Sequence, residues 1–233
     1  FRSFYGNTVR IEAGGKPGFD WIESLNKPAR RSEIRDRFGI SERRPLIVYG
    51  MTWRHPFSTW ERDIDRGERD VLQAHMNLLP VCNPFLIVKP HYCMASQRNN
   101  EVLARRYGEA GVTEFAVYSG PVAEILPAAD LLVSHKSSLL VEGILLDIPC
   151  VGFDFREYND FAFNRRRGIE WVGKRDELYA TMARCLLDRA TKERLATERT
   201  VAKHYFNGPN DGRAAWRCAE AIERLAAKER AVA

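Results

Sequence analysis

The chain has 233 residues, a formal net charge of +5 and 45% hydrophobic residues. This composition is ordinary for a globular protein and allows one large or two small domains. No apolar run approaches the roughly 18 residues that a membrane-spanning helix needs. The weak positive charge favours anionic partners such as nucleotides or a lipid surface, but no basic stripe interleaved with aromatic residues indicates a nucleic-acid-binding protein.

The five cysteines are odd in number, widely spaced and without a CxxC pair, so they indicate neither a disulfide framework nor a zinc site. The chain begins at Phe1 rather than Met and has no visible signal peptide. We therefore expect a domain from a longer cytoplasmic protein, with the inner face of a membrane as a further partner.

Strand and helix patterns alternate along the chain. The predicted strands are Pro45–Gly50, Pro84–His91, Phe115–Gly120, Leu131–Val133, Cys150–Phe153 and, at an edge, Ile169–Val172. The predicted helices are Phe19–Leu25, Ala29–Phe38, Glu68–Leu79, Asn99–Ala110, Pro121–Ala128, Leu139–Leu146, Asp176–Asp188, Lys192–His204 and Gly212–Lys228. This alternation predicts an α/β fold with a doubly wound, Rossmann-like parallel sheet.

The ends of the helices suggest the domain boundaries. Gly39 is a plausible C′ glycine and Asp211 a plausible N-cap of the last helix. We interpret residues 1–28 as the end of a preceding unit with a linker, residues 29–210 as the α/β domain, and residues 211–233 as a C-terminal helix that packs back on a preceding domain.

The polar turn in Asp130–Asp154 is the strongest indication of a site. Its residues His135, Lys136, Ser137 and Ser138 follow a buried strand and precede an apolar helix. Ligands bind at this edge of an open parallel sheet, and the start of a helix favours phosphate. The alternative is that the two serines only cap the helix, with Glu142 following in its first turns.

Other predicted strands also end in polar or small residues: Gly50 and Thr52, Lys89 and His91, Ser119, and Asp154. Each has an ordinary alternative, since a histidine can belong to a turn, a lysine can be solvated, and a serine or aspartate can cap the next segment. Their convergence on one edge favours a binding site for nucleotide phosphates.

Several common motifs are absent from the sequence. There is no G-x-G-x-x-G, no G-x-x-x-x-G-K-[ST] and no G-x-S-x-G, which argues against the usual dinucleotide site, a P-loop and an α/β-hydrolase. No acidic pair suits a divalent metal, and hydroxyls, lysine, histidine and helix N-termini can hold phosphate without one.

Four short segments resemble the carboxyl-terminal, donor-binding domain of GT-B glycosyltransferases, and most closely the CDP-glycerol glycerophosphotransferase (teichoic acid polymerase) family. The segments are Lys16-Pro-Gly-Phe-Asp20, Val88-Lys-Pro-His91, Leu132-Val-Ser-His-Lys-Ser-Ser138 with Glu142 and Pro149 downstream, and Asp211-Gly-Arg213. Two departures stand out, because Gly18 occupies a position where that family usually has Arg, and His135-Lys136 replaces its usual Asp-Tyr.

The resemblance implies one half of a GT-B transferase that moves a group from a CDP- or UDP-linked donor to a polymer or glycan acceptor, without a metal or other cofactor. The predicted catalytic residues are His91 and His135. The predicted donor-binding residues are Thr52, Lys89, Ser119, Lys136, Ser137, Ser138 and Glu142. The alternatives are an enzyme like UDP-GlcNAc 2-epimerase and a non-catalytic nucleotide-binding or interaction module.

Overall fold

The computed structural model describes residues 14–25, 27–52, 61–155 and 168–232. The strands are β1 (Leu46–Gly50), β2 (Phe85–Lys89), β3 (Phe115–Val117), β4 (Leu131–His135), β5 (Cys150–Phe153) and β6 (Ile169–Val172). They form one sheet in the order β3-β2-β1-β4-β5-β6, and every neighbouring pair is parallel. The prediction of a doubly wound parallel sheet is confirmed.

The helices are α1 (Ile22–Leu25), α2 (Pro28–Arg37), α3 (Glu61–Cys82), α4 (Gln97–Glu109), α5 (Leu139–Leu145), α6 (Leu178–Leu187), α7 (Arg189–Asn207) and α8 (Ala214–Val232). Gly39 follows α2 with φ of +66°, as a C′ glycine should. The helix predicted over Pro121–Ala128 is wrong, because this segment contains two 3₁₀ turns, Val122–Glu124 and Leu126–Ala128. Pro127 supplies no amide hydrogen, so it would remove one hydrogen bond from an α-helix over this short segment and disfavours it.

Both faces of the sheet are buried, and alternate side chains of each strand divide between two cores. In β1, Ile47 and Tyr49 face a core that α3, α4 and α6 cover, whereas Leu46 and Val48 face a core that includes residues of α1, α2 and α5. Full burial on both sides explains why the strands are near-continuous apolar runs in the sequence.

The helix α5 lies unusually close to the sheet. A Cβ atom at Gly143 would approach Cys150 Sγ to 2.6 Å and Leu132 Cδ2 to 2.7 Å, so only glycine fits between the helix and strands β4 and β5. Leu139, the first residue of α5, similarly packs against the Cα of Gly50. The start of α5 is thereby held beside the end of β1.

Residues from the two ends of the described chain are joined by hydrogen bonds. The Asp20 carboxylate accepts the amide hydrogens of Ala214 (2.9 Å) and Ala215 (2.8 Å) at the start of α8. The prediction that Asp211 caps this helix is wrong, because α8 begins at Ala214 and Asp20 accepts its free amides. The Asp211 carboxylate instead pairs with Arg217 at 2.8 Å.

Two further contacts strengthen this junction. The amide of Lys16 donates to Asn207 Oδ1 at 2.9 Å, and Arg217 Nε donates to the carbonyl oxygen of Gly14 at 2.9 Å. Residues 1–13 of the predicted linker lie outside the described residues. Among the described residues, no helix combines the length and apolar character required to cross a membrane.

Candidate functional site

A cavity of about 520 Å³ lies at the edge of the sheet where the strands end, which is within the size range of small-molecule sites. Its wall contains residues at or after the ends of β1, β2, β3 and β4, and residues of α5: Gly50, Met51, Lys89, Pro90, His91, Tyr92, Ser119, Gly120, Pro121, Val122, Ser137, Ser138, Leu139 and Glu142. The strand order reverses between β1 and β4, so the cavity lies at the topological switch point, where α/β sheets commonly bind ligands.

The structure brings together six of the predicted site residues in the wall of this cavity: Lys89, His91, Ser119, Ser137, Ser138 and Glu142. The other three, Thr52, His135 and Lys136, do not line it. Thr52 follows β1, and its hydroxyl donates to the carbonyl oxygen of His135 at 2.5 Å.

Lys89 is the last residue of β2, and its ammonium group donates to the carbonyl oxygen of Pro90 at 3.0 Å. Burial lowers the pKa of Lys89. No carboxylate of the described residues lies within ion-pair distance of this ammonium group. An anion entering the cavity would therefore meet a half-buried cation whose charge is not already neutralised.

His91 begins the 3₁₀ turn Tyr92–Met94, and its Nδ1 accepts the amide hydrogen of Cys93 at 3.4 Å. In the neutral ring the proton is therefore on Nε2, which can donate a hydrogen bond. Burial lowers the pKa of His91, and the charge of Lys89 lowers it further. The imidazole is consequently neutral near pH 7 and has a hydrogen to offer to a phosphate oxygen.

The serine hydroxyls differ in their local partners. Ser119 Oγ accepts a hydrogen bond from Asn100 Nδ2 at 2.8 Å, so its own hydrogen remains available. Ser137 Oγ accepts the amide hydrogen of Leu139 at 3.2 Å. Ser138 is at the N-cap position of α5, yet its side chain makes no capping hydrogen bond. Capping thus accounts for Ser137 but leaves the position of Ser138 in the cavity wall unexplained.

Glu142 projects from the first turn of α5, and its Oε2 is buried without a hydrogen-bond partner among the described residues. Burial raises the pKa of Glu142, and the positive charge of Lys16 opposes this shift. A buried carboxyl oxygen without a partner is costly. It would be satisfied by a hydroxyl group of a ligand.

Asp154, which follows β5, contacts the two predicted residues of the polar turn that lie outside the cavity wall. Its Oδ2 lies 2.6 Å from Lys136 Nζ, and its Oδ1 lies 3.5 Å from His135 Nε2. The sequence indicated Asp154 only as a strand-end residue or a cap. Its pairing with Lys136 could not be predicted, because position in the sequence does not give the direction of a side chain.

Sequence reasoning did not predict seven other residues of the wall as site residues: Met51, Pro90, Tyr92, Gly120, Pro121, Val122 and Leu139. Each lies within two residues of a predicted site residue or a strand end, so proximity in the sequence was the available signal. Tyr92 is 78% exposed, and its ring lies 4.3 Å from the ring of His91 between centroids. Across the described ranges, no group of three or more His, Cys, Asp or Glu side chains is arranged to hold a metal ion.

Comparison with known protein families shows which family the chain belongs to. The family model for CDP-glycerol:poly(glycerophosphate) glycerophosphotransferase matches residues 1–224. The chain belongs to this family. A search of curated proteins gave no match.

Solved structures with the same fold include a wall teichoic acid polymerase and two proteins solved with UDP-sugars. The wall teichoic acid polymerase TagF is 17% identical over 94% of this chain and 52% of its own, with a TM-score of 0.62. Anabaena Alr3699/HepE, solved with UDP-glucose, is 15% identical over 84% and 55%, with a TM-score of 0.57. The UDP-GlcNAc 2-epimerase of Neisseria meningitidis, bound to UDP-GlcNAc, is 11% identical over 86% and 52%, with a TM-score of 0.57.

The chain spans about half the length of each of these structures. Identities this low show the shared fold alone.

Proposed function

We propose that this chain is the donor-binding half of a GT-B transferase that uses CDP-glycerol and transfers glycerophosphate to a growing cell-surface polymer. The observation that carries the proposal is the convergence of an ammonium group, a neutral imidazole, three hydroxyls and a carboxyl group in one cavity. Family membership supports CDP-glycerol as the donor.

The diphosphate of the donor lies between the ends of β2 and β4 in this proposal. The hydroxyls of Ser137 and Ser138 donate hydrogen bonds to its oxygens, and Lys89 neutralises charge. A half-buried lysine that has no carboxylate partner in the described part of the chain suits this role, because binding an anion offsets the cost of its burial.

His91 is proposed to act at the leaving group. An acceptor hydroxyl forms a new bond to the phosphorus that carries glycerol, and the bond from that phosphorus to the bridging oxygen breaks, so that CMP leaves. The Nε2 hydrogen of His91 stabilises the charge that develops on the bridging oxygen. The acceptor and the base that takes the proton of its hydroxyl are proposed to lie on the other half of the protein, and no metal is required.

Glu142 is proposed to accept a hydrogen bond from a ribose hydroxyl. This contact would give the buried Oε2 the donor that it lacks among the described residues. His135, Lys136, Ser119 and Thr52 stay predicted site residues, and Ser119 is the one of these four that lines the cavity.

The second candidate is an enzyme acting on a UDP-sugar, which the shared fold with the UDP-GlcNAc 2-epimerase favours. Such an enzyme would convert a UDP-sugar without any acceptor. A glycerophosphotransferase would release CMP from CDP-glycerol only when an acceptor polymer is present.

The deciding experiment is a thermal-shift panel with CDP, CMP, UDP and ADP on the full protein that contains this chain. A nucleotide at a hundredfold excess over its Kd should stabilise the folded state by about 2.7 kcal/mol. We expect CDP and CMP to raise the Tm more than UDP or ADP. A larger shift with UDP supports the second candidate, and no shift with any nucleotide contradicts both.

A further inference from the structure

The turn between β4 and α5 is held from two neighbouring strand ends. On the β1 side, Ser134 Oγ donates to the carbonyl oxygen of Gly50 at 2.7 Å, and Thr52 Oγ1 donates to the carbonyl oxygen of His135 at 2.5 Å. On the β5 side, the Asp154 carboxylate contacts both His135 and Lys136. The end of β4 and the start of the turn are thus attached to the ends of both β1 and β5.

The Asp154 carboxylate is fully buried, with 0% of its side chain exposed. An ionised carboxylate in such a place requires a cation and hydrogen bonds, since its desolvation is otherwise uncompensated. Lys136 supplies the cation at 2.6 Å, and only 17% of the Lys136 side chain is exposed. The contact is therefore a buried ion pair between the ends of β4 and β5.

Lys136 also has a backbone conformation that lysine rarely adopts, with φ of +33°. This left-handed region is unfavourable for residues with a Cβ atom and persists where surrounding contacts enforce it. The ion pair with Asp154 is such a contact. It directs the Lys136 side chain toward β5, and the two residues that follow, Ser137 and Ser138, line the cavity.

We propose that Asp154 is a positioning residue, which holds Lys136 in its left-handed conformation and thereby presents the hydroxyls of Ser137 and Ser138 to the donor diphosphate. This inference rests on the proposed function, since it concerns the same cavity. It gives Lys136 a role in fixing the turn and leaves Lys89 as the cation that faces the ligand.

The test is a double-mutant cycle on the full protein, with Asp154→Asn, Lys136→Met and the double variant. Binding of CDP and of inorganic pyrophosphate is measured by calorimetry at one salt concentration, and the Tm is recorded for each variant. We expect either single change to weaken both ligands roughly ten- to hundredfold, because displaced hydroxyls no longer reach the phosphates. The double variant should bind no more weakly than the singles, because both changes remove the same contact.

Lys89→Met is the matched control, since it removes an ammonium group that lines the cavity itself. Its effect on Kd should multiply with that of Asp154→Asn, because the two residues act on the ligand separately. Lys136→Arg keeps a cation beside Asp154 and should restore most of the affinity that Lys136→Met loses.

Three results would overturn the inference. A lower Tm with an unchanged Kd for Asp154→Asn would show that Asp154 has a structural role alone. If the changes in Kd caused by Lys136→Met and Asp154→Asn multiply in the double variant, Lys136 acts on the ligand directly. If Asp154→Asn fails to fold, Asp154→Ser replaces it in the cycle with Lys136→Met, and the same outcomes decide. A wild-type protein that binds neither ligand would refute the proposed function and this inference together, whereas unchanged CDP binding by a folded Asp154→Asn variant would refute the inference alone.

Discussion

The polar groups in the cavity keep much of their hydrogen-bonding capacity. Lys89 donates to a carbonyl oxygen, Ser138 makes no capping bond, and Glu142 Oε2 has no partner among the described residues. Burial of the Lys89 ammonium group and of the Glu142 carboxyl group is costly unless something compensates it, whereas the exposed Ser138 hydroxyl can bond to solvent. A ligand that supplies both acceptor oxygens and a hydroxyl donor would satisfy all three.

Replacing Ser138 or His91 with alanine should therefore reduce the rate of transfer from CDP-glycerol about 10²–10³-fold, since each change removes one hydrogen-bond donor to the phosphates. Steady-state release of CMP with an acceptor polymer measures this rate, and a melting curve should show that both variants fold.

Ser96→Ala is a matched control, because Ser96 caps α4 by accepting the amide hydrogen of Asn99 at 3.2 Å. It should cost about 1 kcal/mol of stability and leave turnover intact. Full turnover in both site variants would contradict the assignment.

At the scale of elements, the cap of α8 comes from a residue distant in sequence. Asp20 and Ala214 are separated by 194 positions, yet the Asp20 carboxylate accepts amide hydrogens from both Ala214 and Ala215. A carboxylate at this place also interacts favourably with the helix dipole. The segment Gly14–Asp20 thus contributes to the stability of the last helix.

We expect Asp20→Ala to lower the free energy of unfolding by about 1–2 kcal/mol, because two amide hydrogens at the helix start lose their acceptor. Urea denaturation followed by circular dichroism measures this change. Asp36→Ala provides the control, since Asp36 is an exposed aspartate on α2 and its loss should change stability by less than about 0.5 kcal/mol. Equal effects of the two changes would show that the cap contributes nothing.

The elements differ in how well the sequence predicts them, for physical reasons. Strands such as β1 and β5 are buried on both faces, so their apolar runs identify them directly. The resemblance to a family placed His91 and Ser138 in one site, and both line the cavity. The cap by Asp20 and the pair between Lys136 and Asp154 could not be found this way. Both depend on contacts between distant positions, to which local patterns are insensitive.

At the scale of the whole molecule, one buried histidine makes stability depend on pH. His75 lies on the same face of α3 as the core residues Val71 and Leu78 and is 0% exposed. Burial lowers its pKa to about 4, the nearby charge of Arg44 lowers it too, and Glu114 acts in the opposite direction. The folded protein therefore holds this imidazole neutral at a pH where the unfolded chain protonates it.

The unfolded state binds the additional proton between pH 6.5 and about pH 4, so stability from His75 is present above pH 6.5 and decreases as the pH falls through this window. The loss should reach about 3 kcal/mol. We expect His75→Leu to flatten the dependence of the unfolding free energy on pH across that range. His204→Gln removes an exposed histidine and should leave the wild-type dependence in place. A His75→Leu variant with the wild-type slope would disprove the prediction.

The bonds that join Gly14, Lys16 and Asp20 to the last two helices bear on where this protein can be shortened. A fragment beginning at the first strand would keep the whole sheet but lose these three anchoring points, and the terminal helix would be attached through the peptide chain with its first amides facing water. A fragment that keeps these bonds starts no later than Gly14, well before the sheet itself.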